Sequence, residues 1–294
     1  MVRDRGLIRR FSGPGRAAVR WAAQPGLLAM ASTWPKSISA MVRVRNEEEW
    51  LYQAVSSVAN LVDELILVDN ASSDRTPQLI RQIAAEHPAK TRTFPYPHLI
   101  ARQGAENADL VAHDDGRSPR LLANYYNWCL DRCSNPYVFK WDGDEIATDE
   151  MQRALSAFRR SRKHVLMLFG RNVHPSLTSV IRDVPPVVDA PSGFWGSVPS
   201  TQDPEPRVFP RRFARYWSNR LWESLASPYL RHALTLRWER PTYLHMAMCK
   251  GEPFANASPN DRQARLRSSL QPGAALTASE AAALERGRSV VVVR

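Results

Sequence analysis

Two aspartates separated by one glycine, Asp142 and Asp144, follow a short apolar segment, Tyr137 to Trp141. Carboxylates at this spacing can place oxygens around one hard divalent cation, and Gly143 lets a ligand approach the backbone closely. Such a cation could neutralise the charge of a diphosphate group. The triplet alone is weak evidence, because paired acids at the end of a strand are more often a solvated turn.

Polar side chains also follow two predicted strands nearer the start of the chain. Residues 37–44 are apolar on alternate positions, and residues 65–68 form a second short apolar run. Both patterns predict strands. Ligands bind at the carboxyl ends of strands in parallel sheets, where Asp69 could accept hydrogen bonds from a base or ribose, its alternative being a turn residue. The side chains that follow these strands are Arg45, Glu47, Asp69 and Asn70.

Helical patterns alternate with these strands. Apolar residues recur at helical spacing from Leu51 to Val58, with the acids Glu47 to Glu49 expected in the first turn, and Thr76-Pro77 is typical of a helix start. This alternation predicts a parallel sheet covered by helices on both faces. The periodicity is lost from Phe94 to Arg120, which we interpret as a long loop or insertion.

The chain is basic, with a formal charge of +11, and the excess is concentrated at its start. Residues 1–36 hold seven Arg or Lys against one acid, which predicts either a disordered tail or a segment that contacts an anionic membrane surface. The sequence predicts a tail at 1–36, one domain at 37–250 with halves at 37–149 and 150–250, and a loosely ordered tail at 251–294. The longest apolar stretch, Ala22 to Ala31, is interrupted and far short of the roughly 18 residues of a membrane span.

Composition further restricts the location and the partners. Three cysteines are too few for a disulfide framework and are typical of reduced thiols. We therefore expect a cytoplasmic protein, either free or peripheral to the inner face of the membrane. Nucleic acid is not an expected partner, because no recognisable nucleic-acid module accompanies the basic residues.

Three segments, Ile38 to Glu48, Leu67 to Thr76 and Trp141 to Asp144, resemble in content and order the family-2 glycosyltransferases. The separation of Asp69 from Asp142, 73 residues, also resembles that family's spacing. The resemblance implies the GT-A fold, a three-layer α/β/α arrangement with a mainly parallel central sheet and an irregular acceptor-side half. It further implies inverting transfer of a hexose-like sugar from a nucleoside-diphosphate sugar to a saccharide or lipid-linked acceptor, with Mg²⁺ or Mn²⁺, in cell-surface polysaccharide or glycolipid synthesis.

The resemblance assigns roles to individual residues. Glu223 is implied as the base that takes the acceptor proton, with Glu205 as the fallback, and Trp217 and Trp222 would offer apolar faces to sugar rings. The alternative for Glu223 is a surface glutamate paired with an arginine. His245 is implied as a metal ligand, its alternative being a hydrogen-bonded core residue. The donor site would comprise Arg45, Glu47, Asp69, Asn70 and Asp142, and the metal site Asp142, Asp144 and His245.

Two other functional classes remain open at this stage. A sugar nucleotidyltransferase would need a glycine-rich basic loop after the first strand, where this chain has Arg45-Asn46-Glu47 instead. A non-catalytic glycan- or nucleic-acid-binding protein could use the Arg- and Trp-rich region from Arg207 to Trp238. Metal-dependent hydrolysis of a sugar donor would separate an enzyme from a pure binder.

Overall fold

The computed structural model describes residues 36–102, 105–189, 194–218, 223–230, 234–250 and 270–291. The predicted basic tail, apart from Lys36, lies outside these residues, as does much of the predicted C-terminal tail. The helices are α1 Leu51–Ala59, α2 Thr76–Glu86, α3 Ala105–His113, α4 Leu122–Leu130, α5 Asp149–Arg160 and α6 Ala278–Val291. The first eight strands are β1 Ile38–Val44, β2 Glu64–Asp69, β3 Thr91–Pro95, β4 Tyr137–Asp142, β5 Glu145–Ala147, β6 Val165–Leu168, β7 Gly170–Asn172 and β8 Ser179–Ile181. The later strands are β9 Val184–Asp189, β10 Phe194–Val198, β11 Glu205–Pro210, β12 Arg215–Ser218, β13 Glu223–Ala226, β14 Thr235–Arg237, β15 Tyr243–His245 and β16 Pro272–Ala275.

A seven-stranded sheet forms the centre of the described domain, in the order β14-β6-β11-β4-β1-β2-β3. Neighbouring strands are parallel except at β11, which runs antiparallel to both β4 and β6. The mainly parallel sheet predicted from the sequence is therefore confirmed. The ends of β1, β2 and β4 meet at one edge because these strands are adjacent and parallel.

Side chains of β1 alternate between two helical layers. Ile38, Ala40 and Val42 are fully buried in the core cluster that includes residues of α1, α2 and α5. On the opposite face, the guanidinium of Arg43 lies 3.8 Å from the ring centre of Tyr126 in α4. Because successive strand residues point to opposite faces, the sheet packs against helices on both sides. This arrangement is the predicted three-layer architecture.

The sequence patterns placed some element ends differently. Helix α1 begins at Leu51, so the acids Glu47 to Glu49 precede the helix instead of occupying its first turn. Thr76 is the first residue of α2 rather than its cap, because the backbone N–H of Thr76 donates to Asp74. Residues 94–120 contain α3 within the predicted loop, a helix whose apolar face is too weak to show in the sequence pattern.

Smaller sheets complete the described chain after β4. Strand β15 lies between β5 and β7, antiparallel to β5 and parallel to β7, and residue His245 pairs with Glu145. Strands β12 and β13 form an antiparallel hairpin. This half is the irregular one that the sequence predicts. None of the helices in the described ranges is long and apolar enough to cross a membrane.

Helix α6 begins with a capping box and packs on the domain. The backbone N–H of Thr277 donates to Glu280 at 2.8 Å, and the N–H of Glu280 donates to the Thr277 hydroxyl at 3.3 Å. Arg171 of β7 binds both carboxylate oxygens of Glu280, at 2.9 and 2.8 Å. Leu284 is buried in a small apolar cluster with Trp50. Within the described part of the predicted C-terminal tail, this helix is therefore attached to the α1 side of the domain.

We expect Leu284→Ala to lower the free energy of unfolding by about 2–4 kcal/mol, because it removes buried methyl groups and leaves a cavity. Leu99, which is 47% exposed, provides a matched control, and Leu99→Ala should change stability by less than about 0.5 kcal/mol. Urea denaturation of both variants measures the difference. Equal effects of the two substitutions would show that α6 does not contribute to the stability of the domain.

Candidate active site

Side-chain hydrogen bonds fasten the loop after β1 to the loop after β2. The Asn46 side chain accepts from the N–H of Ser73 at 2.8 Å, and the N–H of Glu47 donates to the Thr76 hydroxyl at 2.7 Å. Asn46 has a φ of 54°, a left-handed conformation that asparagine tolerates better than most residues. The loop therefore turns sharply at Asn46 and holds the Glu47 backbone against the start of α2.

Gly143 allows the loop after β4 to approach the end of β1. A Cβ atom at Gly143 would lie 2.6 Å from Val44 Cγ1 and 3.2 Å from Glu47 Cγ. The first distance is shorter than van der Waals contact, so only glycine fits here without movement of its neighbours. The close approach brings the two aspartates of the motif beside Glu47.

Asp142 is surrounded by basic groups. Its Oδ1 binds the Arg43 guanidinium, and its Oδ2 lies 3.4 Å from Arg207 Nη1. Burial alone would raise the pKa of Asp142, but Arg43, Lys140 and Arg207 lower it to about 2, so the carboxylate is ionised. Both oxygens of Asp142 are thus engaged by guanidinium groups, and its roles as a metal ligand and donor contact stay predictions.

The buried Arg207 binds two further acids near this motif, Glu145 and Glu205. Arg207 is 2% exposed and binds both oxygens of Glu145, through Nη1 at 2.9 Å and Nη2 at 2.6 Å. Its Nη2 also donates to the Tyr243 hydroxyl at 2.7 Å and lies 2.5 Å from Glu205 Oε1. The sequence analysis missed Glu145, although it directly follows the aspartate motif. Glu145 pairs with His245 of β15, a strand about 100 residues later, and this pairing cannot be predicted from the local sequence.

Asp144 lies at the centre of a second group of charges. Its Oδ2 is 3.5 Å from His245 Nε2 and 2.8 Å from Lys250 Nζ, and the same Nζ is 2.7 Å from Glu47 Oε1. Burial alone would raise the pKa of Asp144, but Lys250 and His245 hold it well below its ordinary value. Burial and Asp144 raise the pKa of Glu47, and Lys250 acts against this rise. No sequence pattern predicted a role for Lys250.

His245 is oriented by two amide side chains. Its Nδ1 lies 2.8 Å from Asn172 Oδ1 and 2.8 Å from Gln202 Nε2, while its Nε2 faces Asp144. A ring held through one nitrogen presents the other to a ligand, as metal-binding histidines do. Burial alone would lower the pKa of His245, but Asp144 raises it.

The donor set at Asp144 is chemically suited to Mg²⁺ or Mn²⁺. Carboxylate oxygen and imidazole nitrogen are ligands that Mn²⁺ accepts, and Asp144 Oδ2 and His245 Nε2 are close enough to bind one ion. Glu47 Oε2 is buried and, among the described residues, has no hydrogen-bond partner. Within those residues no group of three His, Cys, Asp or Glu side chains converges on one point, so other ligands would have to come from elsewhere.

The remaining predicted donor residues differ in how much of each side chain is engaged. Asn70 is 1% exposed, and its amide donates to the carbonyl of His98 at 2.6 Å and accepts from the N–H of Ile100 at 3.3 Å. Asp69 Oδ1 accepts two hydrogen bonds from Ser72 within the turn. By contrast, Arg45 Nε is buried and has no hydrogen-bond partner in the described part of the chain. The structure brings all three to one edge, and their binding roles stay predictions.

The hairpin β12–β13 brings Glu223 close enough to Lys140, Arg43 and Asp142 for their charges to act on it. The Asn127 side chain of α4 fixes this hairpin, donating to the Tyr216 carbonyl and accepting from the Tyr216 N–H, both at 2.8 Å. Glu223 pairs with Ser218, whereas Trp217 pairs with Ser224. Because neighbouring residues of a strand face opposite sides, Trp217 points away from the face of Glu223. Trp217 therefore does not help to bury this acid, its predicted role of offering an apolar face to sugar rings stays a prediction, and Trp222 lies outside the described residues.

Glu223 and Glu205 differ in their suitability as a base. Glu205 lies between Lys140 Nζ at 3.3 Å and Arg207, which lower its pKa although burial opposes them. Burial raises the pKa of Glu223, while Lys140 and Arg43 act in the opposite direction. Glu223 Oε2 is buried and has no hydrogen-bond partner among the described residues. A carboxylate with an unengaged oxygen and a raised pKa is the better proton acceptor.

The chain is similar to several known proteins. Residues 39–176 match the family model Glycosyl transferase family 2. An uncharacterised glycosyltransferase of Rickettsia typhi, RT0209, is 39% identical over 51 residues, which is 17% of this chain and 18% of that protein. TarS 1-349 of S. aureus, solved with UDP-GlcNAc, superposes with a TM-score of 0.42 at 17% identity, over 79% of this chain and 66% of that one. Glucosyl-3-phosphoglycerate synthase of Mycobacterium tuberculosis, solved with Mn²⁺, UDP and glucosyl-3-phosphoglycerate, gives a TM-score of 0.32 at 19% identity, covering 52% and 50% of the two chains.

The segment that matches the family model includes most of the central sheet. The central sheet is mixed, large and mainly parallel, with the matched segment contributing β1 to β4 and β6. Residues 39–176, a little under half of the chain, are thus similar to the family-2 glycosyltransferases, and the described domain is a mixed α/β fold with a large, mainly parallel central sheet.

We expect Gly143→Ala to lower the free energy of unfolding by about 1–3 kcal/mol, because the added methyl group overlaps Val44 Cγ1. Val44→Ala removes that atom, so in a double-mutant cycle the two substitutions together should cost less than the sum of their separate effects. Urea denaturation of the parent, both single variants and the double variant measures this coupling. Strict additivity would mean that the two positions do not touch.

Proposed function

We propose that this protein transfers a sugar from a nucleoside-diphosphate sugar to a hydroxyl group of an acceptor, with inversion at the anomeric carbon. The observation that carries the proposal is a pair of acidic groups near Asp142: Asp144, which contacts His245 and shares Lys250 with Glu47, and the separate acid Glu223. One group can hold a cation and the diphosphate, while the other can accept a proton. A hexose-like sugar and a saccharide or lipid-linked acceptor in cell-envelope glycan synthesis extend this proposal from the sequence resemblance.

The donor would bind along the edge formed by the ends of β1, β2 and β4. Arg45 would use its unengaged Nε near the nucleotide, and Asp69 would accept hydrogen bonds from the base or the ribose. Asp144 and His245 would hold Mg²⁺ or Mn²⁺. When bound, such an ion would neutralise the charge that develops on the departing diphosphate. Asp142 would keep its position through Arg43 and Arg207 and would orient the donor from there.

Glu223 would take the proton of the acceptor hydroxyl. As the oxygen forms its bond to the anomeric carbon, the bond from that carbon to the diphosphate breaks, and the diphosphate leaves with the electron pair. Glu223 is half-buried with its Oε2 inaccessible to solvent, and this burial raises the pKa of its carboxylate, which makes it a stronger base than an exposed glutamate. Arg43 and Lys140, whose charges act on Glu223, would keep it ionised before the proton arrives.

Replacing the metal-binding carboxylate tests the donor half of the proposal. We expect Asp144→Asn to weaken Mn²⁺-dependent binding of a nucleoside-diphosphate sugar by roughly 10- to 100-fold, because an amide oxygen is a poorer ligand than a carboxylate. Calorimetric titration of UDP- and GDP-sugars, with and without Mn²⁺, measures this loss. The matched control is Asp115→Asn in the loop after α3, where Asp115 is exposed, and this variant should bind as the parent does. An unchanged Mn²⁺ dependence in Asp144→Asn would exclude this position as the metal site.

Replacing the proposed base tests the acceptor half. We expect Glu223→Gln to lower kcat by roughly 10²- to 10⁴-fold while donor affinity changes little, because the amide cannot accept the proton. In the parent, the rate of transfer should rise with pH through a pKa above that of an exposed glutamate, since only the ionised form is active and burial raises this pKa. Release of the nucleoside diphosphate, measured from pH 4 to pH 9, records both effects.

The control for this experiment is Glu205→Gln, which removes the fallback base. If Glu205→Gln abolishes the pH-dependent limb and Glu223→Gln keeps it, the roles of the two acids are reversed. A protein that binds the donor but releases no diphosphate with any acceptor or with water would instead be a non-catalytic binder.

A further inference from the structure

Lys250 places a positive charge between two acids of the proposed donor site. Its Nζ lies 2.7 Å from Glu47 Oε1 and 2.8 Å from Asp144 Oδ2, and its side chain is 12% exposed. These partners come from the end of β1 and the turn after β4, whereas Lys250 follows β15. The contact thus joins three separated parts of the chain at one point.

The ammonium and a divalent ion would compete for the same oxygen. A bound Mg²⁺ or Mn²⁺ lies about 2.0–2.2 Å from a carboxylate ligand, and Asp144 Oδ2 already has Lys250 Nζ at 2.8 Å. Two cations held by one oxygen repel strongly where the dielectric is low. Occupancy of Asp144 Oδ2 by the ion therefore requires the ammonium to move away.

We propose that Lys250 is an internal counter-ion of the donor site, which occupies the cation position in the metal-free protein and is displaced when a divalent ion binds. The inference rests on the proposed role of Asp144 and His245 as metal ligands. It makes Lys250 the residue that sets how tightly the ion binds before the donor arrives.

The rest of the motif is held by contacts that do not involve Lys250. The N–H of Met246 donates to the Asp144 carbonyl at 2.8 Å, and the close approach of Gly143 to Val44 fixes the turn. The His245 ring is held by Asn172 and Gln202. Removing the lysine charge should therefore leave the two ligands in place, but it leaves the buried Asp144 carboxylate with less positive charge around it.

The decisive measurement is Mn²⁺ binding to the full chain with neither donor nor acceptor present. Electron paramagnetic resonance of free Mn²⁺ gives the Kd directly. We expect Lys250→Gln to bind Mn²⁺ at least roughly tenfold more tightly than the parent, because an uncompensated buried carboxylate gains more from a cation. Lys250→Arg, the charge-matched control, should stay close to the parent. Adding Asp144→Asn to Lys250→Gln should remove the gain.

The parent protein allows a second test that needs no variant. Bound Mn²⁺ should free the Lys250 amine, so its rate of acetylation by a small anhydride, followed by mass spectrometry, should rise severalfold when Mn²⁺ is added. Lys90, whose Nζ binds the backbone between α1 and β2, is the internal reference and should not change.

Two results would overturn the inference. One is a Lys250→Gln protein that folds, as judged by circular dichroism, and binds Mn²⁺ no more tightly than the parent. The other is a parent Lys250 whose acetylation is the same with and without saturating Mn²⁺. Because neither assay contains a sugar donor, a failure of sugar transfer in separate experiments would bear on the proposed function alone.

Discussion

Charge compensation in a dry environment is the constraint on which this domain depends. Arg207 and Glu145 are almost fully inaccessible to water, and the arginine binds both carboxylate oxygens of its partner. Breaking a buried pair by removing one partner leaves an uncompensated charge and is strongly destabilising. Glu145 directly follows the aspartate motif and accepts a hydrogen bond from the Asp142 N–H, so the pair helps to fix the backbone of the motif. The geometry of the site is therefore tied to the stability of the domain, and its charged residues cannot vary one at a time.

The cations around the two aspartates are of different kinds. Asp142 is held by guanidinium groups, from Arg43, which also lies on the face of a tyrosine ring, and from Arg207, which is fixed by further hydrogen bonds. Such planar groups bound at several points are difficult to displace. Asp144 is held by an ammonium on a flexible stem and by an imidazole, which are the two groups that can exchange a partner or act as a ligand. Asp142 is therefore held in one position by its partners, whereas the partners of Asp144 can be exchanged for a ligand.

The sequence predicted what lies at the strand ends but not what reaches them from elsewhere. The apolar alternation at β1 and the short apolar runs at β2 and β4 indicated these strands. Because the three strands pair in parallel, Glu47, Asp69 and the aspartate motif lie at the same edge of the sheet. The contacts of Lys250 and Arg207 with these acids could not be predicted, because each residue lies on or after a strand whose register is set by tertiary packing. The same limit applies to Trp217, because only the pairing in the hairpin shows that it lies on the face opposite Glu223. The sequence shows that Asn46 and Asn70 are polar residues after strands. Only the structure shows that their side chains form hydrogen bonds to neighbouring loops.

The two halves of the proposed site are connected through helix α4. Its Tyr126 lies under Arg43 on the donor side and 4.9 Å, centre to centre, from the Tyr216 ring on the hairpin, and its Asn127 replaces a strand partner for the Tyr216 backbone. Helix α4 therefore fixes the hairpin that carries Glu223 against the same face of the sheet as Arg43, the partner of Asp142. On the outer face of the hairpin, Trp217 is 52% exposed. Substitutions on that face should therefore leave the proposed base in place, because the inner face is the one fixed to helix α4 through Tyr216.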